Sequence, residues 1–138
     1  METATQATLA LPKIGTAYKG GIYAGIIAGK DGAPDYHLIH ATQEYEIVDV
    51  VWETAIEAAK TPINGFADWS LPDRHEARLL AINTPQGFDV NDWYWTATQN
   101  ASYPDYAWMQ YFDDGNQYYD HKSNEYRARA VRRELIIQ

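Results

Sequence analysis

The chain has 138 residues, 46% hydrophobic and 22% charged, which is the balance of one globular domain. Its formal net charge of −8 repels phosphate backbones and anionic lipid heads, so we expect neither nucleic-acid binding nor membrane insertion. The absence of cysteine excludes disulfides, thiolate metal sites and catalysis by a cysteine nucleophile.

The N-terminal part predicts a tail followed by a hairpin. Residues 1–17 are rich in Thr and Ala, and we expect a flexible tail ahead of a single domain at 18–138. The tail has no basic segment followed by an apolar run, so we expect no export signal and production in the cytoplasm, with display on a virion or cell surface left open. Residues 21–28 and 35–41 flank a turn-rich stretch and predict a β-hairpin. Gly20, Gly21 and Gly25 indicate a close backbone approach or a bulge in its first strand.

Two helices follow in the prediction. Between residues 43 and 60 the apolar side chains recur at helical spacing, which predicts one long helix with Trp52 in its buried stripe. Asp73 and Glu76 have the spacing of a capping box, which predicts a second helix at 74–82. Pro85 is expected to prevent that helix from continuing.

The C-terminal half predicts strands. Aromatic and β-branched residues favour strands at 93–98 and 106–113, and Asp114-Gly115 predicts a hairpin turn into a strand at 116–120. A final strand is expected at 126–135, and it carries Arg127, Arg129, Arg132 and Arg133. Because strand geometry divides these arginines between two faces, we expect ion pairs with acidic residues rather than a basic binding face.

Four motifs occur in an order that is typical of a known family. They are GFADWSLPDRHEARLL at 65–80, YWTAT at 94–98, AWMQYFDDG at 107–115 and ARAVR at 128–132. Over residues 20–133 the chain resembles the C-terminal domain family of the Legionella collagen-like adhesin, a branch of the C-type-lectin-like fold. The chain differs from the family pattern at Ser70, where an arginine is usual, and at Ala130, where a cysteine is usual.

The resemblance implies an α+β domain of C-type-lectin-like fold. Two helices, at about 43–60 and 74–82, would support a twisted antiparallel sheet, and long surface loops would carry the binding surface. The resemblance also implies a relationship to phage receptor-binding proteins and to the variable proteins of diversity-generating retroelements. Sulfatase-activating oxidases share this general fold, but they depend on cysteine, so that activity is excluded here.

We expect no metal ion and no other cofactor. Calcium-binding C-type lectins use a Glu-Pro-Asn or Gln-Pro-Asp loop and a Trp-Asn-Asp strand, and neither motif occurs in this chain. The acidic run at 113–120 offers oxygen ligands, but a hairpin turn requires such residues as well. His37 and His40 lie three apart on a predicted strand and face opposite sides, which argues against a two-histidine site.

No residue is assigned a catalytic role. Asp105, Asp113 and Asp114 could supply the carboxylate pair of a hydrolase, but no spacing places them across a cleft. His75 is expected on the exposed face of the second helix and His121 in a loop, and neither has a sequence partner that would make it a base. A hydrolase is therefore the weaker alternative.

The leading hypothesis is a non-catalytic module that binds a protein or carbohydrate ligand. In the C-terminal loops, tyrosines would act as rigid anchors, and Ser, Asn and Asp as adaptable hydrogen-bonding groups. Trp69, Trp95 and Trp108 are assigned to the framework. The candidate ligand-binding residues are Asn100, Ser102, Tyr103, Asp105, Tyr106, Asn116, Tyr118, Tyr119, His121, Asn124 and Tyr126.

Two other forms of the hypothesis stay open. Adenine mutagenesis of Asn codons yields Tyr, Asp, His and Ser, which fits the composition at 100–126 and would make the chain a retroelement-diversified or phage-displayed receptor binder. A second hypothesis, of a different functional class, is that the chain is an acidic phage or bacterial interaction protein that inhibits a host protein through its negative charge. The ligand, the host and any homo-oligomeric state are not defined by the sequence.

Overall fold

The computed structural model describes residues 11–137, and this part of the chain contains nine strands and two helices. The strands are β1 (Ala17–Tyr18), β2 (Gly21–Ile27), β3 (Tyr36–His40), β4 (Ile47–Val50), β5 (Trp93–Gln99), β6 (Tyr106–Tyr111), β7 (Gln117–His121), β8 (Tyr126–Ala128) and β9 (Val131–Leu135), and the helices are α1 (Trp52–Ala58) and α2 (Arg74–Asn83). The strands form two sheets, ordered β1-β2-β3-β9 and β4-β8-β5-β6-β7. The α+β class with antiparallel strands is confirmed. The strands are divided between two sheets rather than one, and β5 pairs with β8 in parallel.

The predicted N-terminal hairpin is confirmed as β2 and β3, which pair in antiparallel register. The register shifts between Tyr23 and Gly25, so the expected bulge lies in β2. Gly25 has a φ of +128°, and a Cβ there would lie 3.0 Å from the Asn83 side chain of α2. At Gly21 an added Cβ would lie 2.3 Å from the His40 carbonyl oxygen, so the backbones approach too closely for any side chain.

The segment expected as an N-terminal tail overlaps the first sheet. The Gly15 N–H donates to the Tyr23 carbonyl at 2.8 Å, and the Tyr23 N–H donates to the Thr16 carbonyl at 2.9 Å. Ala17 and Tyr18 form β1. Residues 1–10, the rest of the expected tail, lie outside the described residues.

The predicted helix at 43–60 is wrong in its first half. Gln43–Tyr45 is a 3₁₀ turn, Ile47–Val50 is β4, and only Trp52–Ala58 is helical. The β-branched residues of β4 favour an extended backbone, and β4 obtains its hydrogen bonds from β8. Because Val48 is 48% exposed, the apolar positions do not share one buried helical face.

The second predicted helix is confirmed as α2, with the capping box at its start. The Asp73 carboxylate accepts from the Glu76 N–H at 2.7 Å, and the Glu76 carboxylate accepts from the Asp73 N–H at 2.9 Å. Ala77 and Leu80 are buried where α2 packs on β2, β5 and β6. The helix therefore contacts both sheets.

The predicted final strand at 126–135 divides into two strands in different sheets. Tyr126–Ala128 pairs with β4 and β5 in the second sheet, whereas Val131–Leu135 pairs with β3 in the first. Only Arg129 and Ala130 separate them. The sequence of the segment is continuously strand-like, so nothing in its local pattern shows that the chain changes sheets.

The ion pairs expected for the four C-terminal arginines are confirmed. Each guanidinium contacts at least one carboxylate, and every one of these carboxylates comes from outside β8 and β9. The pairs are Arg127 with Glu46, Asp89 and Asp92, Arg129 with Glu46, Arg132 with Asp68, and Arg133 with Glu76. The C-terminal segment is thereby tied to the loops and to α2.

Glu46 is the carboxylate that two of these arginines share. One of its oxygens accepts from Arg129 Nε at 2.8 Å, and the other accepts from Arg127 Nη1 at 3.1 Å and from the Tyr94 hydroxyl at 2.6 Å. Arg129 Nη2 lies 2.6 Å from the first oxygen without hydrogen-bond geometry, so that contact is electrostatic. Burial and the bond to Glu46 raise the pKa of Tyr94 above its ordinary value.

His40 is a buried imidazole in β3 with one nitrogen bonded. Nδ1 donates to the Ala41 carbonyl at 2.7 Å, and the ring packs 4.8 Å from the Phe88 ring. Nε2 has no hydrogen-bond partner among residues 11–137. Burial lowers the pKa of His40 to about 4, and the Arg129 charge acts in the same direction.

We expect acid to destabilise the fold through His40. Its pKa is about 4 in the folded state and about 6.5 when unfolded, so the unfolded chain takes up the proton first as pH falls. Between pH 7 and pH 5 the free energy of unfolding should drop by about 2 kcal/mol from this group. Urea unfolding at both pH values measures the drop, and His40→Leu should remove most of it. An equal drop in the variant would contradict the assignment.

Candidate binding surface

The β6–β7 hairpin lies at one edge of the second sheet, with β7 as the edge strand. In its register Trp108 pairs with Tyr119, and Tyr106 pairs with His121. Because side chains alternate along a strand, these four residues share one face of the hairpin. The loop before β6 and the turn after β7 meet at the Tyr106–His121 end, where the Lys122 N–H donates to the Asp105 carbonyl at 2.9 Å.

Four tyrosine rings on this hairpin and its loop form a connected group, which we name the tyrosine surface: Tyr103, Tyr106, Tyr118 and Tyr119. Tyr118 alternates to the other face of the edge strand β7, and its ring meets that of Tyr119. The ring centroids of Tyr119 lie 5.3 Å from Tyr118, 5.9 Å from Tyr106 and 6.5 Å from Tyr103. Tyr103 is 56% and Tyr118 is 61% exposed. None of the four hydroxyls bonds to another side chain or backbone group in the described part of the chain.

On the α2 side the tyrosine surface ends at Trp108. The Trp108 ring meets Tyr119 edge to face at 5.1 Å, and the guanidinium carbon of Arg74 lies 3.5 Å from the Trp108 ring centroid. Arg74 and Arg78 both donate to the side-chain oxygen of Gln117, at 3.1 and 2.7 Å. The Arg74 guanidinium of α2 therefore already covers the Trp108 ring, which borders the tyrosine surface.

A cleft of about 420 Å³, here called the side cleft, opens beside the tyrosine surface. It is lined by Val51, Glu53, Asp105, His121, Lys122 and Ser123. The His121 ring meets the Tyr106 ring edge to face at 5.4 Å, which joins the cleft to the tyrosine surface.

The charges of the side cleft are mostly negative. Lys122 Nζ lies 4.3 Å from the Trp52 ring centroid and donates to Gln99, so its ammonium group is already engaged. The Glu53 and Asp105 carboxylates are exposed and form no ion pair with a described residue. The cleft thus holds two carboxylates against one ammonium group, and it adjoins the tyrosine surface at Tyr106.

Two of the predicted ligand-binding residues make hydrogen bonds within the framework. Asn100 is 9% exposed, and its side-chain oxygen accepts from the N–H groups of Ser102 and Tyr103 at 2.9 and 3.1 Å, which shapes the loop before β6. The Tyr126 hydroxyl donates to Asp120. Burial and this bond raise the pKa of Tyr126 to about 12.

The remaining candidates divide between the two ends of the hairpin. Ser102 and Asn124 are exposed in the loops at the Tyr106–His121 end, where the Asn124 N–H donates to the His121 carbonyl at 3.0 Å. Asn116 lies in the turn at the opposite end and bonds to Asp114. Roughly 14 Å of strand separates it from the side cleft, so Asn116 does not belong to the same surface.

Several residues of the site were not among the sequence candidates. Trp69 and Trp95, which are expected in the framework, are buried, whereas Trp108, expected with them, is half-buried and lies on the same face of the hairpin as Tyr106 and Tyr119. Arg74 and Glu53 come from helices that are distant in sequence. No local spacing indicates either residue, because only the packing of the two helices brings them to the hairpin.

The carboxylates do not form the pair that a hydrolase would need. Asp105 lines the side cleft, whereas Asp113 and Asp114 lie at the opposite end of the hairpin. The His121 Nδ1 accepts from the Ser123 N–H at 3.2 Å and contacts the Ser123 hydroxyl at 2.8 Å, a local turn arrangement.

The acidic run of the hairpin makes local hydrogen bonds. Asp114 accepts from the Asn116 N–H at 2.9 Å, and Asp120 accepts from the His121 N–H at 2.8 Å. Although burial opposes ionisation, the bonds from Tyr126 and His121 hold the pKa of Asp120 below its ordinary value. Within residues 11–137 no group of three or more His, Asp or Glu side chains is placed to hold a metal ion.

The helices α1 and α2 are short, and the described part of the chain contains no helix with the length and apolar character needed to cross a membrane.

Replacing Asn100 by Ala should lower the free energy of unfolding by about 1 kcal/mol, because two loop N–H groups lose their acceptor. Replacing the exposed Tyr103 by Ala should change it by less than about 0.5 kcal/mol. Urea unfolding of both variants compares the two roles. A larger loss for Tyr103→Ala than for Asn100→Ala would show that the assignment is reversed.

Comparison with known proteins agrees with the motifs described above. The family model of the Lcl C-terminal domain matches residues 31–132, a span that includes all four motifs, the whole second sheet and β3 of the first sheet. No curated protein matches the chain. The chain therefore belongs to the Lcl C-terminal domain family, the family of the C-terminal domain of the Legionella collagen-like adhesin.

Proposed function

We propose that this domain is a non-catalytic binding module whose tyrosine surface contacts a protein or carbohydrate partner. The observation that carries the proposal is the tyrosine surface itself, a connected group of rings in which Tyr103 and Tyr118 are more than half exposed. Membership of an adhesin-type family supports binding as the function. The C-type-lectin-like fold that the resemblance implies is part of the same proposal.

Exposed tyrosine rings leave apolar area in water, and they give a partner a large contact area. A contiguous exposed aromatic patch is uncommon on a protein without a partner, since its apolar area is left in water. Tyrosine has few rotatable bonds, so its ring gives a large contact area for little loss of side-chain entropy. The ring-to-ring contacts of Tyr119 with its neighbours restrict these side chains further before any ligand arrives.

The polar groups around the rings support recognition rather than catalysis. The four hydroxyls have no partner in the described residues and can donate to or accept from a ligand. The side cleft adds the exposed carboxylates of Glu53 and Asp105. Asp113 and Asp114 lie at the opposite end of the hairpin, so neither faces Asp105 across the cleft as a hydrolytic carboxylate pair would.

A triple variant tests this proposal. Tyr103, Tyr118 and Tyr119 are replaced by Ala, and binding is measured to a partner identified by glycan-array and cell-surface screens. Since central aromatic residues dominate interface energies, the affinity should fall at least tenfold. The matched control replaces by Ala three apolar residues outside the tyrosine surface, Ile82, Leu135 and Ile137, which are 69%, 56% and 75% exposed.

The control variant should bind as the wild type does, and both variants should keep the wild-type circular dichroism. Full binding by the tyrosine variant would refute the proposed surface. Equal loss in both variants would point to a general effect of surface apolarity.

In its finer form the proposal makes this a diversified receptor-binding surface. Exposed positions such as Ser102, Tyr103, Asp105 and Asn124 can change without disturbing the core, whereas Asn100 and Tyr126 cannot. We therefore expect a nearby DNA copy of the region encoding 93–133, differing at adenines of the exposed codons, beside a reverse transcriptase gene. Sequencing the flanking DNA tests this, and no such copy would limit the proposal to an invariant binding surface.

A further inference from the structure

We propose that the tyrosine surface takes the arginine side chain of a protein partner, with the guanidinium between Tyr103 and Tyr119 and its charge facing the carboxylates of the side cleft. The inference rests on the proposed function and specifies the partner of the same surface. It follows from the arrangement of three rings, from the cations of the chain itself, and from the charge of the adjoining cleft.

The centroids of the Tyr103, Tyr106 and Tyr119 rings lie within 6.5 Å of one another. The planes of Tyr103 and Tyr119 lie within 23° of parallel, with centroids 6.5 Å apart. Tyr106 is edge-on to both, at interplanar angles of 65° and 80°. A planar cation stacked between two rings needs a separation of roughly 7 Å, twice an ordinary stacking distance. Tyr103 is exposed on a loop, so its ring can move to admit a guanidinium against Tyr119.

The same face already contains one pairing of this kind. Arg74 covers the Trp108 ring at 3.5 Å, and Trp108 is the neighbour of Tyr119. Four other Lys and Arg side chains also lie over aromatic rings: Lys19 over Tyr18, Lys122 over Trp52, Arg129 over Phe88 and Arg132 over Phe66. Within residues 11–137 no Lys or Arg lies over Tyr103, Tyr106 or Tyr119. These rings are therefore available to a cation from outside.

The charge of the surroundings favours that cation. The side cleft presents Glu53 and Asp105, and its own Lys122 is held over Trp52. The C-terminal arginines are neutralised by carboxylates, and the whole chain carries a net charge of −8. A negative surface speeds the association of a positively charged partner and favours it over a neutral or negative one. A flat guanidinium suits two parallel rings better than the tetrahedral ammonium of lysine does.

The probe for this inference is the blocked tripeptide acetyl-Gly-Arg-Gly-amide, titrated into the ¹⁵N-labelled domain and followed by NMR. Its neutral match replaces Arg by citrulline, which has the same shape without the charge. We expect millimolar binding of the Arg peptide, with the largest shifts at Tyr103, Tyr106 and Tyr119. Binding of the citrulline peptide should be at least fivefold weaker, and Tyr103→Ala should abolish the response to both.

A pair of carboxylate variants adds a control. Asp105→Asn should weaken the Arg peptide severalfold, whereas Asp113→Asn, an exposed change at the far end of the hairpin, should not. Equal binding of both peptides, equal effects of both variants, or shifts outside the tyrosine surface would overturn the inference. If the Arg peptide fails to bind while the tyrosine triple variant loses a glycan or protein partner, the proposed function stands and the arginine assignment fails.

Discussion

The two-arginine clamp on Glu46 is the interaction on which the rest of the structure depends. The C-terminal segment leaves the second sheet at Ala128 and joins the first at Val131, so Arg129 lies between the sheets with its side chain 1% exposed. A charge in that position requires a paired and hydrogen-bonded partner, and removing the partner of a buried ion pair costs about 3–5 kcal/mol. Glu46 provides it, and Arg127 and Tyr94 satisfy its other oxygen.

This arrangement explains why the fold can leave the tyrosine surface exposed. The sheets are held by the C-terminal ion pairs, by α2 and by the buried clusters around Trp95 and Phe88. The loops beside the surface are fixed by Asn100 and by the backbone bond between Lys122 and Asp105. Since these polar contacts determine the loop shape, the tyrosines add little to the fold, and their exposure is a feature that a partner can use.

The sequence predicts those parts of the molecule that local chemistry determines. The capping box of α2, the β2–β3 hairpin and the turn between β6 and β7 depend on residues a few positions apart, and all three are found. The sequence does not predict β4, because the apolar spacing of Ile47–Val50 fits a helix equally well. Only the pairing with β8 makes this segment a strand. The same holds for the site: the tyrosines are evident from composition, whereas the stacking of Arg74 on Trp108 arises only from tertiary packing.

The Glu46 clamp should hold the fold independently of the tyrosine surface. A double-mutant cycle of unfolding free energies, with Glu46→Gln, Tyr119→Ala and the combined variant, measures their coupling directly. We expect a large loss of unfolding free energy for Glu46→Gln, a small loss for Tyr119→Ala, and additivity within about 0.5 kcal/mol. A coupling energy above about 1 kcal/mol would contradict it, because the tyrosines would then be part of what holds the two sheets together.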